Sequence, residues 1–115
     1  MREERGQIVG DLTIDEPYQL VGSVLGNVTA VHGAKLYVRG TVYGDVLVKK
    51  GGRVHVYGNV SGNLTVFEKG KAIHSGVLGG NAINLGGRLY IDSAARVLGK
   101  IRTEEGETTI EPPPL

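Results

Sequence analysis

Along this chain apolar and polar residues alternate in short runs, and the runs recur. Val42, Val46 and Val48 mark one stretch, and Val54 and Val56 mark the next. Val60, Leu64 and Val66 then repeat the first set. Upstream, Val24, Val28, Ala30, Leu36 and Val38 hold the matching positions. Alternation at period two, rich in β-branched residues and broken by glycine, predicts short strands. No segment keeps a helical period of useful length.

The recurrence has a fixed step. Gly22-Ser-Val24-Leu-Gly26-Asn27 returns as Gly40-Thr-Val42-Tyr-Gly44-Asp45, Gly58-Asn-Val60-Ser-Gly62-Asn63 and Gly76-Val-Leu78-Gly-Gly80-Asn81, each 18 residues on. Looser copies flank them at Gly6–Asp11 and Ala95–Lys100. Such internal repetition marks a solenoid, in which each unit buries its apolar face only against its neighbours. Glycines such as Gly40, Gly44 and Gly51-Gly52 divide the unit into three stretches. The pattern therefore predicts an all-β, single-domain triangular β-helix (β-solenoid) of about six 18-residue turns around a narrow aliphatic core. With strands about 4.8 Å apart, that is a rod on the order of 30 Å long. Residues 1–5 read as a charged N-terminal tail, 6–111 as the β-helix domain and 112–115 as a Pro-rich C-terminal tail.

Asp11, Asn27, Asp45, Asn63 and Asn81 share one corner after glycine. Asn and Asp tolerate left-handed backbone and hydrogen-bond locally, so a stacked ladder is expected there. Calcium is the alternative, but one carboxylate in some turns and none in others makes a poor Ca²⁺ cage. The register should slip at three places. The link from Ile14 to Tyr18 is two residues short. Gly86–Ile91 matches Gly51–Val56 at a spacing of 35, and Ser93-Ala94 then adds residues back. His74 falls on the inward phase, as a hydrogen-bonded core histidine or at a bulge that turns it out.

Composition narrows the function classes. A chain of 115 residues has room for one domain. A net charge of +1 does not point to nucleic acid. Without cysteine there is no disulfide, thiolate metal site or thiol nucleophile. No apolar run nears the roughly 18 residues of a membrane span, and Met1-Arg2-Glu3-Glu4-Arg5 is too charged for a signal-peptide core or an amphipathic anchor. No cofactor and no metal are expected.

The string Leu36-Tyr-Val38-Arg-Gly40-Thr-Val42-Tyr-Gly44-Asp45-Val46-Leu-Val48 resembles the core repeat of the bactofilin family, and the likeness runs over roughly residues 6 to 111. The resemblance implies a right-handed β-helix that assembles end to end, without nucleotide, into non-polar filaments. It also implies a bacterial cytoskeletal scaffold for cell shape and for localising cell-wall enzymes. The expected partners are further copies of the chain and cell-wall or membrane-associated proteins, with no small-molecule substrate and no nucleic acid. The chain lacks the short hydrophobic N-terminal segment of many bactofilins. The expected location is the cytoplasm, with peripheral contact to the inner membrane made through partners.

Three surfaces are candidates for function. The first is the pair of rod ends, where unpaired strand edges template addition of another copy. Ile8, Leu12 and Ile14 would form one end, and Ile101, Thr103, Thr108 and Ile110 the other, with Pro112-Pro113-Pro114 stopping the strand. The second is a basic column for an anionic partner, Lys35, Arg53, Lys71 and Arg88, with Lys50, Lys69 and Glu68 nearby. The third is outward and apolar: Leu25 with Tyr43, Val31 with Phe67 and Leu85, and Leu47 between, forming a lateral interface or a stabilising ladder. Tyr37, His55, Ile73 and Tyr90 form a further outward column.

Catalysis is not expected. His32, His55 and His74 fall on different phases, and a valine-filled rod has no cleft. The one enzyme class with comparable turns is the hexapeptide-repeat acyltransferases, where His32 or His55 would be cast as the catalytic histidine, but that hexad fits only in fragments. The alternative to a polymer is a non-polymerising β-solenoid binding module, an adaptor or toxin-neutralising protein that uses the basic column or the apolar face.

Overall fold

In the computed structural model, which describes residues 1–113, every regular element is a strand. The first two circuits hold β1 (Arg2–Glu4), β2 (Gln7–Val9), β3 (Leu12–Ile14), β4 (Pro17–Leu20), β5 (Ser23–Leu25) and β6 (Val28–Ala30). The central turns hold β7 (Lys35–Val38), β8 (Thr41–Val42), β9 (Val46–Val48), β10 (Arg53–Val56), β11 (Asn59–Val60) and β12 (Leu64–Val66). The last turns hold β13 (Lys71–His74), β14 (Val77–Leu78), β15 (Ala82–Ile91), β16 (Arg96–Val97) and β17 (Ile101–Ile110).

All pairings are parallel, each strand lying on its equivalent one turn away, so the chain winds a β-solenoid with three faces. Face A is the six-stranded sheet β2-β5-β8-β11-β14-β16. Face B stacks β3, β6, β9 and β12 on the first half of β15, and face C stacks β1, β4, β7, β10 and β13 on its second half. Strand β15 runs continuously round the B–C corner, and β17 follows it there with two register irregularities. The expected step of 18 residues holds through the central turns, as in Lys35↔Arg53↔Lys71. The three slips also lie where the sequence put them: Leu12↔Val28, Lys71↔Arg88 and Leu78↔Val97 depart from 18.

Alternation places one residue of each pair inside. Val24, Val42, Val60 and Leu78 stack from face A, and Val28, Val46, Leu64 and Ala82 from face B, all essentially without solvent contact. Fully burying such a side chain is worth about 1.5–3 kcal/mol, so the central turns carry most of the stability.

Two expectations need correction. Residues 2–4 are not a tail: Arg2, Glu3 and Glu4 pair with Tyr18, Gln19 and Leu20, so the solenoid begins before residue 6. The Asn/Asp corner forms its ladder, but with no left-handed backbone. The Oδ1 atoms of Asp11, Asn27, Asp45, Asn63 and Asn81 each accept the backbone N–H of the next rung, at 2.7–2.8 Å, and the last rung is Lys100. Lys69 is the one non-glycine residue at positive φ among the described residues, and it stands at the B–C corner. The glycines beside the ladder are required by close approach. A Cβ at Gly62 would sit 2.2 Å from Asp45 Oδ1, and one at Gly80 2.4 Å from Asn63 Oδ1. Side-chain rung and missing side chain are thus two halves of one device.

Candidate functional site

The two ends of the rod differ. At the N-terminal end Ile14 is buried, and Ile8 and Leu12 are partly covered by packing against the core. Face C starts with Arg2 and Glu4 on the inward phase, in register with Tyr18 and Leu20. Ile14 therefore offers little surface to a partner, and the end is aliphatic on faces A and B but charged on face C. At the C-terminal end Ile101 and Ile110 sit in the columns of the buried Ala82 and Ile91, yet are 36% and 56% exposed. Thr108, above Leu89, is half-buried, and Thr103 is exposed. The inward phase of the last turn is open among the described residues. Pro112 and Pro113 are exposed and outside any strand, and Pro114 lies outside the described residues.

The basic column forms as the spacing required. Lys35, Arg53, Lys71 and Arg88 are consecutive partners along face C, bounded by Pro17 below and Glu107 above. Among the described residues the ion pairs are Arg2–Glu16, Arg5–Glu3 and Arg102–Glu104, so none of the four is paired. Beside the column runs the outward ladder Gln19, Tyr37, His55, Ile73 and Tyr90. Between them lies a groove of about 120 Å³ lined by Lys35, Tyr37, Arg53, His55, Lys71 and Ile73. Lys50 and Lys69 project from the adjoining corner together with Glu68. Stacked cations repel one another, and an anion in the groove would relieve that.

The six outward apolar residues stand in three columns. Leu25 and Tyr43 stand exposed beside the A–B corner. Leu47 lies mid-face B between Thr29 and Thr65. Val31, Phe67 and Leu85 follow the B–C corner, where the Lys49 ammonium interrupts them and sits 3.7 Å from the Phe67 ring centroid. That contact is a cation–π pair that covers part of the ring.

One polar constellation escaped the spacing argument. His55 Nε2 lies 3.1 Å from Ser75 Oγ, and Ser75 Oγ donates to Asp92 Oδ2 at 3.2 Å. His55 also stacks on Tyr57, with centroids 3.8 Å apart, and the Arg39 guanidinium lies 4.5 Å from the centroid of that ring. Burial lowers the His55 pKa against the pull of Asp92, and the Ala94 amide holds Asp92 below the usual carboxylate range. The serine proton is directed to the carboxylate, with the histidine at the far side of the hydroxyl. A nucleophilic serine needs the reverse, its proton on the imidazole and the carboxylate behind the ring. The chain thus ties three turns together across a corner. Its residues are 20 and 17 apart, off the 18-residue step, which is why periodicity did not join them.

His74 is buried on the inward phase between Val56 and Ile91, as a hydrogen-bonded core histidine. Its Nε2 meets the Arg96 carbonyl at 3.0 Å and its Nδ1 has no partner. His32, on the exposed B–C corner, is far from both in sequence register and on a different phase. Among the described residues no group of three or more His, Cys, Asp or Glu is placed to hold a metal ion, and no helix is long and apolar enough to cross a membrane. No family model, no curated protein and no solved structure matches this chain.

Proposed function

We propose that this chain is a structural building block that self-assembles end to end, without nucleotide, into a scaffold filament. The observation that carries the reading is the open last turn. Ile101 and Ile110 occupy core columns yet face solvent, next to a strand edge that nothing covers among the described residues. A strand edge with an aliphatic inward phase is a template for another strand. The first turn offers an edge with Leu12 in the column of Ile101 and Ile8 in that of Val97, while the column of Ile110 begins at Glu4. The bactofilin-like repeat of residues 36–48 supports the same reading, and a bacterial cytoskeletal role follows from that resemblance.

Light scattering after size exclusion, paired with negative-stain electron microscopy in nucleotide-free buffer, tests it. Filaments are expected, and Leu12→Lys or Ile101→Lys should abolish them while circular dichroism stays unchanged. A wild-type protein that remains a monomer at high concentration sinks the proposal.

The unpaired basic column favours a second reading, a binding module for an anionic partner. Changing Lys35, Arg53, Lys71 and Arg88 to Glu would eliminate retention on an anionic resin at moderate salt. Unchanged retention would place the anion-binding surface elsewhere.

A further inference from the structure

We infer that the stacking is directional: the last turn of one copy seats on the first turn of the next, with every subunit pointing the same way. This rests on the end-to-end reading above and adds the register and polarity of the joint. The family resemblance implied a non-polar filament, but the residue columns of this chain run the other way.

Continuing each column past the last turn names the residue that would meet it. On face A, Val97 follows Leu78 and would lie on Ile8 of the next copy. One residue on, Leu98 is 65% exposed in the column that begins at Val9, itself 80% exposed. Two large apolar side chains, each open to solvent at its own end, would cover one another. On face B, Ile101 would lie on Leu12. Parallel pairing would extend both sheets with no change of hydrogen-bond pattern.

The ladder supplies the direction. Each rung accepts the N–H of the rung one turn later, and the series ends at Lys100, which has no acceptor to offer. Its column would continue into Asp11 of the next copy, whose Oδ1 is occupied by the Asn27 amide. An ammonium replaces the rung where the neighbour's rung is a carboxylate. The corner after face C repeats the arrangement. Glu111 donates its amide to Ile91, so it stands in the column that starts at Arg5, and opposite charges would meet there as well.

Face C and the B–C corner are the weak seam. Arg2 and Glu4 would meet Thr108 and Ile110 there, and Glu104 and Glu105 would approach Asp15 and Glu16. Arg102 and Arg2 already offset one carboxylate on each side, at 3.5 and 3.4 Å. Opposite charges placed in register steer partners and exclude the wrong orientation.

Blocking one end at a time decides the direction. Leu12→Lys closes the first turn and Ile101→Lys the last. In a directional filament each variant alone is a monomer of 12.2 kDa, and an equimolar mixture gives a heterodimer of twice that mass. In a non-polar filament each variant alone is already a dimer, through its open end, and mixing changes nothing; that result overturns the inference while leaving end-to-end stacking intact. Wild-type protein that is itself monomeric, or both blocked variants still forming filaments, overturns the stacking reading and the direction with it. A surface pair guards against loss of fold. Arg5→Glu and Glu111→Arg should each raise the concentration needed for assembly at least several-fold, and the two together in one chain should restore it. A double variant no better than the singles refutes the Arg5–Glu111 contact and the polarity built on it.

Discussion

Single residues reveal where the repeat is under strain. Lys69 takes φ 63° at the corner where Gly51 has φ 78°. Left-handed backbone costs a residue with a Cβ about 1 kcal/mol or somewhat more, so Lys69→Gly should stabilise the fold by about 1 kcal/mol, read as a higher midpoint in urea. His74 works in the opposite sense. Burial lowers its pKa below the ordinary 6.5, with the Arg96 carbonyl only partly offsetting the effect. The unfolded chain therefore binds the proton more readily than the folded one. The stabilisation is complete above about pH 6.5 and declines as pH falls through the folded-state pKa. His55, also shifted down by burial, adds in the same direction. Unfolding measured between pH 7.5 and 5 should show this loss, and His74→Val, matching Val56 below it, should flatten the slope.

At the scale of the element, the repeat was legible because its columns are chemically uniform: valine over valine, glycine beside rung. Its exceptions could be placed by counting, but their mechanism could not. Where β15 passes the B–C corner one residue short, Asn84 replaces an inward valine. Its Oδ1 accepts the N–H groups of Gly86 and Gly87, and its Nδ2 donates to the carbonyls of Gly87 and Glu107 and to Thr108 Oγ1. One buried amide thus satisfies a corner that the shortened link leaves without turn hydrogen bonds. Asn84→Val would strand those groups at a cost of about 2–4 kcal/mol, a far larger loss than Asn→Val at an exposed rung such as Asn81. Chemical denaturation of the two variants makes the comparison. The strand status of Arg2–Glu4 was hidden for a related reason: charged residues on an inward phase read as tail, and only pairing with Tyr18–Leu20 shows them as the first edge.

For the whole molecule, the sequence held the solenoid and the basic column, because both follow from an 18-residue step. The outward apolar residues were harder to place, because neighbouring columns share the same period and the period alone does not say which corner each stands on. Uniform turns also make length adjustable. Deleting residues 41–58 joins Gly40 to Asn59, preserves every register, and should leave a folded but less stable rod with a radius of gyration below 12.7 Å. Removing nine residues instead would put each corner on a face and should prevent folding. Small-angle scattering with circular dichroism separates the two outcomes.

The parallel stacking of turns has a last consequence, in reciprocal space. Every strand crosses the rod axis and every inter-turn hydrogen bond runs along it, so an oriented pellet of filaments would scatter strongly on the meridian at about 4.8 Å. Amyloid gives the same reflection from strands donated by separate molecules. Here successive strands belong to one chain, so a longer spacing equal to the subunit height would accompany it. The shorter first circuit and the longer last one alternate along the fibre and would supply the contrast for that second reflection.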